Sequence, residues 1–229
     1  MLFIVDFDGT IAPHDTVDGL LERFADPAWK DVEEDWVAGR LNSRDCMRAQ
    51  LALVDADRAV LEEYFQSVQV DPAFPDFIRY ASTVGEVAIV SDGIDYPIFR
   101  AMERCGVAST PVFSNRLAFT AHGLELSFPH TSAVCTPQSG VCKCAVARAL
   151  DAGRGLFTVL IGDGRSDRCV ARSVDYVFAK DSLQRYCQAE GIAHTPFVSF
   201  SDVLSVIQNW DTTHFNLISR EQPCRLATR

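Results

Sequence analysis

Two acids stand one residue apart near the start of the chain, in Asp6-Phe7-Asp8-Gly9-Thr10, directly after an apolar run at 2–5. Side chains alternate along an extended backbone, so Asp6 and Asp8 are aimed to one side of a strand end. One carboxylate can attack an electrophilic centre such as phosphorus while the other carries protons. A carboxylate nucleophile divides a difficult hydrolysis into two easier steps. Taken alone, the same five residues also fit a strand-end turn with two solvated acids.

Later residues shift that balance. Asp163 and Asp167 follow another apolar run, at 157–161, and can join Asp6 around one cation. Magnesium takes hard oxygen ligands in octahedral geometry and keeps several waters, so a few carboxylates and a substrate phosphate suffice. Ser91 offers a hydroxyl and Lys143 a point-charge ammonium, both suited to phosphate. Thr10, Asp92 and Gly93 lie beside these groups and complete the expected phosphate-binding set. A turn serine or a surface lysine is commonplace singly; four such elements suited to one phosphoryl group are not.

These residues need a scaffold that delivers them to one place. The apolar runs at 2–5, 87–90 and 157–161 each stop at a polar turn containing glycine, and helical patterns separate them. That is the βαβ rhythm of an α/β protein with an open parallel sheet. Ligands of such sheets bind beyond the carboxyl ends of the strands. A fourth strand is expected at 176–179, with a helix from Asp181-Ser182. Residues 15–75 break the rhythm: Leu20, Leu21 and Phe24, then Met47, Leu51 and Val54, follow the spacing of amphipathic helices. The expected organisation is therefore a core at 1–14 and 76–210, an inserted helical cap at 15–75, and a tail at 211–229 with no assigned function. A hairpin is expected where 116–120 and 124–128 flank His122-Gly123.

The 229 residues are 48% hydrophobic, enough for a substantial core. A net charge of -10 and a pI near 4.9 argue against a nucleic-acid backbone binder. No apolar run has membrane-spanning length and no secretory signal is evident, so a cytoplasmic protein with no membrane partner is expected. The eight cysteines then read as reduced thiols. Cys135, Cys142 and Cys144 are close enough in sequence to consider zinc, but lack the paired spacing of common structural sites.

Together the motifs resemble the haloacid dehalogenase (HAD) superfamily over about residues 1–205: Asp6-x-Asp8-Gly-Thr10 its first motif, Ser91 its second, Lys143 its third, and Gly162-Asp163-Gly-x-x-Asp167 its fourth. The resemblance implies a Rossmann-like core with a helical cap, Asp6 as nucleophile, Asp8 as general acid/base, and a magnesium cofactor held by Asp6, Asp163 and the backbone carbonyl of Asp8, with Asp167 and Gly164 in support. Asp at position 8 is the mark of that superfamily's phosphatases and phosphomutases rather than its dehalogenases or ion pumps.

Insertion of the cap after the first motif is similar to the phosphoserine-phosphatase-like branch. That branch carries Glu where this chain has Asp15, and a cap Arg near Gln50, with Arg44 and Arg48 close by; these four, with His14, are the candidate substrate contacts. Cys135, Gly140-Val-Cys142-Lys143, Ile161 to Asp167 and 177–187 resemble phosphatases of methionine salvage acting on 2-hydroxy-3-keto-5-methylthiopentenyl-1-phosphate, and their relatives. A small phosphorylated metabolite is the implied partner. Phosphoserine hydrolysis, phosphotransfer or mutase chemistry on the same core, and a non-catalytic phosphometabolite-binding protein remain open, as does oligomeric state. Arg165 and Arg168 could meet a substrate anion or be solvated; Phe24, Trp29 and Trp36 could line the cap or fill its core.

Overall fold

The computed structural model describes residues 1–121 and 123–210; His122 of the expected hairpin tip and the tail at 211–229 lie outside the described residues. The first apolar run forms β1 (Leu2–Val5). Four helices follow: α1 (Thr16–Phe24), α2 (Trp29–Val37), α3 (Ser43–Leu51) and α4 (Arg58–Ser67). The chain then alternates through α5 (Phe74–Val84), β2 (Glu86–Ile94), α6 (Asp95–Arg104), β3 (Val112–Thr120), β4 (Gly123–Ser127), α7 (Lys143–Asp151) and β5 (Thr158–Gly162). It finishes with α8 (Arg168–Ala171), β6 (Tyr176–Ala179), α9 (Asp181–Glu190), β7 (Thr195–Pro196) and α10 (Phe200–Gln208).

The strands form one seven-stranded sheet in the order β4-β3-β2-β1-β5-β6-β7. All neighbours are parallel except β3 and β4, which form the antiparallel hairpin. The chain winds outward on both sides of β1, which makes the end of β1 the topological switch point where ligands of such sheets bind.

Strand alternation explains the two-sided core. Phe3 and Val5 of β1 pack under α5, α6 and α10, whereas Leu2 and Ile4 pack against α7, α8 and α9. Burial on both faces is why β1 reads as an unbroken apolar run rather than an alternating one. β2 continues beyond the expected stop at Val90 and carries Ser91, Asp92 and Gly93 within it, with a register irregularity against β3 between Val90 and Ile94.

Helices α1–α4 bury Leu20, Leu21, Leu51, Leu61 and Phe65 among themselves and against Ile94 of β2 and Leu117 of β3. The hairpin thus supports the insertion from the core side. Phe74 is fully buried beside Phe77 and Phe200 in the core cluster, and Val68 belongs to that cluster too. We place the return to the core at Val68, because the expected boundary at 75 falls within the first turn of α5. No helix among the described residues is long and apolar enough to cross a membrane.

Candidate active site

Asp6 follows the last residue of β1, and its N–H donates to Ile161 of β5 at 2.9 Å, tying it to the central pair of strands. Residues 7–11 then make a wide turn closed by Ala12 N–H on the Phe7 carbonyl at 2.9 Å. Asp6 Oδ1 accepts from Phe7 N–H at 2.8 Å. Gly9 sits in the turn at φ +70°, and a side chain there would strike the Asp163 carboxylate. Glycine is needed both for the backbone and for that close approach.

Lys143, the first residue of α7, is 3% exposed and joins two carboxylates: its Nζ lies 2.8 Å from Asp6 Oδ1 and 2.6 Å from Asp167 Oδ1. The other oxygen of Asp167 accepts the N–H groups of Asp163 and Gly164, at 3.3 and 3.2 Å. Asp163 Oδ1 accepts the Thr10 hydroxyl at 3.0 Å. Its carbonyl is held at the start of α9 by Leu183 N–H and Ser182 Oγ, at 2.6 and 3.2 Å. Thr10 therefore braces the acid, with no place among the groups lining the cavity described below.

Asp6, Asp163 and Asp167 each bring an oxygen within 4.8 Å of the others, the only such group of acid, histidine or cysteine ligands among the described residues. Burial pushes Asp6 well above the ordinary carboxylate range, reinforced by Asp167 and opposed by Lys143. Burial and then Asp167 push Asp163 to about 6. For Lys143, burial disfavours the charge, but Asp167 and Asp6 outweigh it and raise its pKa. One ammonium among three buried carboxylates leaves negative charge uncompensated, which is costly in a low-dielectric setting and suits a bound cation. Asp167 has both oxygens engaged, so Asp6 and Asp163 are the freer carboxylates. The Asp8 carboxylate is not part of this group; the contribution expected of Asp8 to the metal is its backbone carbonyl.

Asp8 turns toward the cap instead. Thr16, the first residue of α1, gives Asp8 Oδ1 both its N–H and its hydroxyl, at 2.8 and 2.6 Å. Ser91 Oγ donates to Asp8 Oδ2 at 3.4 Å and accepts Gly93 N–H at 2.9 Å. A side chain at Gly93 would strike the Asp8 carboxylate. Burial, with Asp15 nearby, pushes the Asp8 carboxyl up to about 7 against the hydrogen bonds from Thr16 and Ser91. Asp92 is occupied as a brace: its carboxylate accepts Val141 N–H at 2.8 Å and its carbonyl accepts Asn115 Nδ2 at 2.6 Å. It anchors the segment that delivers Lys143, and its carboxylate has no donor to give a phosphate.

A cavity of about 500 Å³ lies between the strand ends and the cap. Asp6, Asp8, Ser91, Gly93, Lys143, Asp163 and Gly164 line its core side, and Asp15 and Gln50 its cap side. His14, Arg44 and Arg48, read from sequence as substrate contacts, do not line it. Arg44 reaches instead to the carbonyl and side chain of Gln138, both at 3.1 Å, and Arg48 lies over the Phe128 ring at 4.6 Å. Their helix face turns toward the core loop and the hairpin. Trp36 does line the cavity, with Arg165 stacked on its ring at 4.5 Å, whereas Phe24 and Trp29 pack within the cap. Arg168 lies over Tyr186, away from the cavity. Cys135, Cys142 and Cys144 are free thiols on one wall, and no cysteine joins a metal-type group among the described residues.

Sequence reasoning missed Thr16, Asp18, Glu33 and Met47, which the fold brings to the site. The available signal was helical spacing: Asp15 and Asp18, Glu33 and Trp36, and Cys46 and Gln50 are each three or four residues apart, hence on one helix face.

Residues 3–172 match the family described as haloacid dehalogenase-like hydrolase. The chain is 28% identical over 215 residues to 2-hydroxy-3-keto-5-methylthiopentenyl-1-phosphate phosphatase of Geobacillus kaustophilus, covering 92% of this chain and 97% of the relative. It is 31% identical over 212 residues to the protein of the same name from Exiguobacterium sibiricum, covering 90% and 95%. Among solved structures, a phospho-aspartyl intermediate analogue of phosphoserine phosphatase shares the fold with a TM-score of 0.68 at 19% identity, over 90% of this chain and 97% of that one. With its acidic cluster at the switch point of a mostly parallel sheet, the chain belongs to the haloacid dehalogenase-like hydrolases and is a phosphatase of that family.

Proposed function

We propose that the protein is a magnesium-dependent phosphomonoesterase for a small phosphorylated metabolite, working through a phosphoryl-aspartate on Asp6. The observation that carries this reading is the unequal state of the two Asp6 oxygens. Oδ1 is fixed by Phe7 N–H and Lys143, while Oδ2 has no hydrogen bond among the described residues and the residue lines the cavity.

In the first half-reaction Asp6 Oδ2 bonds to phosphorus and the bond to the leaving oxygen breaks. Asp8 gives its proton to that oxygen, a role suited to a carboxyl whose pKa is raised to about 7. In the second half, Asp8 takes a proton from water as the water attacks phosphorus and Asp6 is released. Lys143 and Ser91 offset charge on the transferring oxygens, and Gly93 keeps the backbone low enough for Asp8 to approach. Asp6, Asp163 and the Asp8 carbonyl would hold magnesium, which supplies charge neutralisation between an anionic nucleophile and an anionic ester. Asp167 orients Lys143 and the 163–164 backbone.

The cavity volume of about 500 Å³ suits a metabolite rather than a macromolecule. The first candidate substrate is 2-hydroxy-3-keto-5-methylthiopentenyl-1-phosphate, named for the relatives above. The test is phosphate release from a panel of small esters with magnesium, then with chelator. Chelator-sensitive release supports the reading. Conversion to an isomer without release would make the enzyme a phosphomutase, and no metal-dependent turnover on any ester would contradict the proposal.

A further inference from the structure

The cap end of the cavity sets three carboxylates and a carboxamide among Val17, Trp36, Ser43, Cys46 and Met47. Asp15 and Asp18 reach it from α1, and Glu33 and Gln50 from α2 and α3. Asp15 uses Oδ1 for both of its bonds to the first turn of α1, from Val17 and Asp18 N–H at 2.9 Å each, which leaves Oδ2 without a donor. Asp18 makes no side-chain hydrogen bond or ion pair among the described residues. Burial, followed by the negative charges of Asp15 and Glu33, pushes its carboxyl up to about 7.

Gln50 gives a separate indication. It is 5% exposed, and its Nε2 donates to Glu33 Oε2 at 2.8 Å. That bond fixes the direction of the carboxamide and leaves its oxygen as an acceptor with no donor among the described residues. The Trp36 indole N–H is already committed to Ser43 Oγ at 3.1 Å. With Gln50 lining the cavity, its carboxamide oxygen is open to a donor carried by a ligand.

Cations are scarce in the cavity. Lys143 is held by Asp6 and Asp167, and Arg165, which follows β5 in the core, extends its guanidinium over the ring of Trp36 on the cap. Arg44 and Arg48 are turned outward, as described above.

Resting on the phosphatase reading, we propose that this wall selects the leaving group: the substrate's alcohol portion carries hydroxyl or amine donors and no second acidic group, with Asp18 and Glu33 as specificity-determining residues. The leaving group must enter this end, because the phosphoryl group is held at the opposite end by Asp6 and Lys143. Donors on it satisfy Asp15, Asp18, Glu33 and Gln50. A carboxylate placed there meets the negative charges of Asp15, Asp18 and Glu33, which outnumber the single guanidinium of Arg165 on the Trp36 ring, and this disfavours phosphoserine. The ester named for the relatives meets the rule, since its alcohol portion has hydroxyl and keto groups and no acid.

The test uses matched esters that differ in one carboxylate: ethanolamine phosphate against phosphoserine, and glycerol 1-phosphate against 3-phosphoglycerate, with the full chain and magnesium. Wild type is expected to favour the member without the carboxylate by about 100-fold in kcat/KM, because juxtaposed like charges strongly suppress binding. The Asp18→Asn/Glu33→Gln double variant is expected to shrink that ratio to below about tenfold by the same argument. Comparable kcat/KM within each wild-type pair, or preference for the carboxylate member, overturns the proposal; the latter would assign Arg165 as an anion contact. An unchanged ratio in the double variant also overturns it. p-Nitrophenyl phosphate separates the two levels: if wild type hydrolyses neither it nor any ester, the phosphatase reading has failed and this one with it.

Discussion

Thr16 donates twice to one oxygen of Asp8, through its backbone N–H at 2.8 Å and its hydroxyl at 2.6 Å. The Thr16 carbonyl in turn accepts the Tyr64 hydroxyl at 2.7 Å, so the proposed acid/base is tied through α1 to α4. The position of Asp8 therefore depends on the placement of the cap.

Thr16→Val removes one of the two donors, while Thr16→Ser keeps it. A hydrogen bond to a charged group contributes about 1.5–3 kcal/mol, so kcat on alkyl phosphates should fall roughly 10- to 100-fold in Thr16→Val and recover in Thr16→Ser. p-Nitrophenyl phosphate, whose leaving group needs no proton, should lose much less. Equal losses on both ester types would mean that Thr16 acts on structure alone.

Asp8 also makes a pH-dependent contribution to stability. Its carboxyl rises from 3.8 to about 7 on folding, so between those values the folded state binds more protons than the unfolded state. Stability therefore falls as pH rises through that window, and the loss is complete above about 7. Asp8→Asn lacks this term. In chelator, it should melt above wild type at pH 8, with the difference shrinking toward pH 4; a constant difference across that range would contradict the buried state of the acid.

Lys143 is the counter-ion of two buried carboxylates. Removing one partner of such a buried group leaves charge uncompensated and costs about 3–5 kcal/mol. Urea denaturation of Lys143→Ala should show a loss of that order, partly restored in Lys143→Ala/Asp167→Asn. A midpoint close to wild type for Lys143→Ala would show that the charges are relieved in another way.

Gly9→Ala tests the turn between the two acids. A β-carbon at φ +70° is strained and would collide with the Asp163 carboxylate. The variant should need substantially more magnesium for half-maximal activity, with a near-native circular dichroism spectrum. Unchanged magnesium dependence would argue that Asp163 does not hold the metal.

Much of the phosphoryl end was legible in the sequence because its parts sit where apolar runs stop. Leu2–Val5 and the run before Asp163 had to be buried strands, and parallel topology gathers such strand ends at one edge. The cap end was far less legible. Asp18 and Glu33 look like ordinary solvated faces of charged helices, and only packing of α1, α2 and α3 turns them toward one cavity. Arg44 and Arg48 misled for the same reason: charge and proximity in sequence do not determine which face of α3 looks inward. The parallel pairing of β3 through Val112 and Phe113, and the two-residue β7, were too short to leave a periodic signature. Thr16 belongs to no motif, and its role emerges only from the bend that brings α1 over Asp8.

The most direct measurement is to quench wild-type turnover in acid and map the phosphorylated peptide by mass spectrometry, alongside Asp6→Asn. The phosphoryl group should lie on Asp6 in wild type, with no phosphoenzyme and almost no phosphate release in a folded Asp6→Asn protein. A phosphoryl group on another residue, or phosphate release by Asp6→Asn at the wild-type rate, would contradict the assignment of Asp6 as nucleophile.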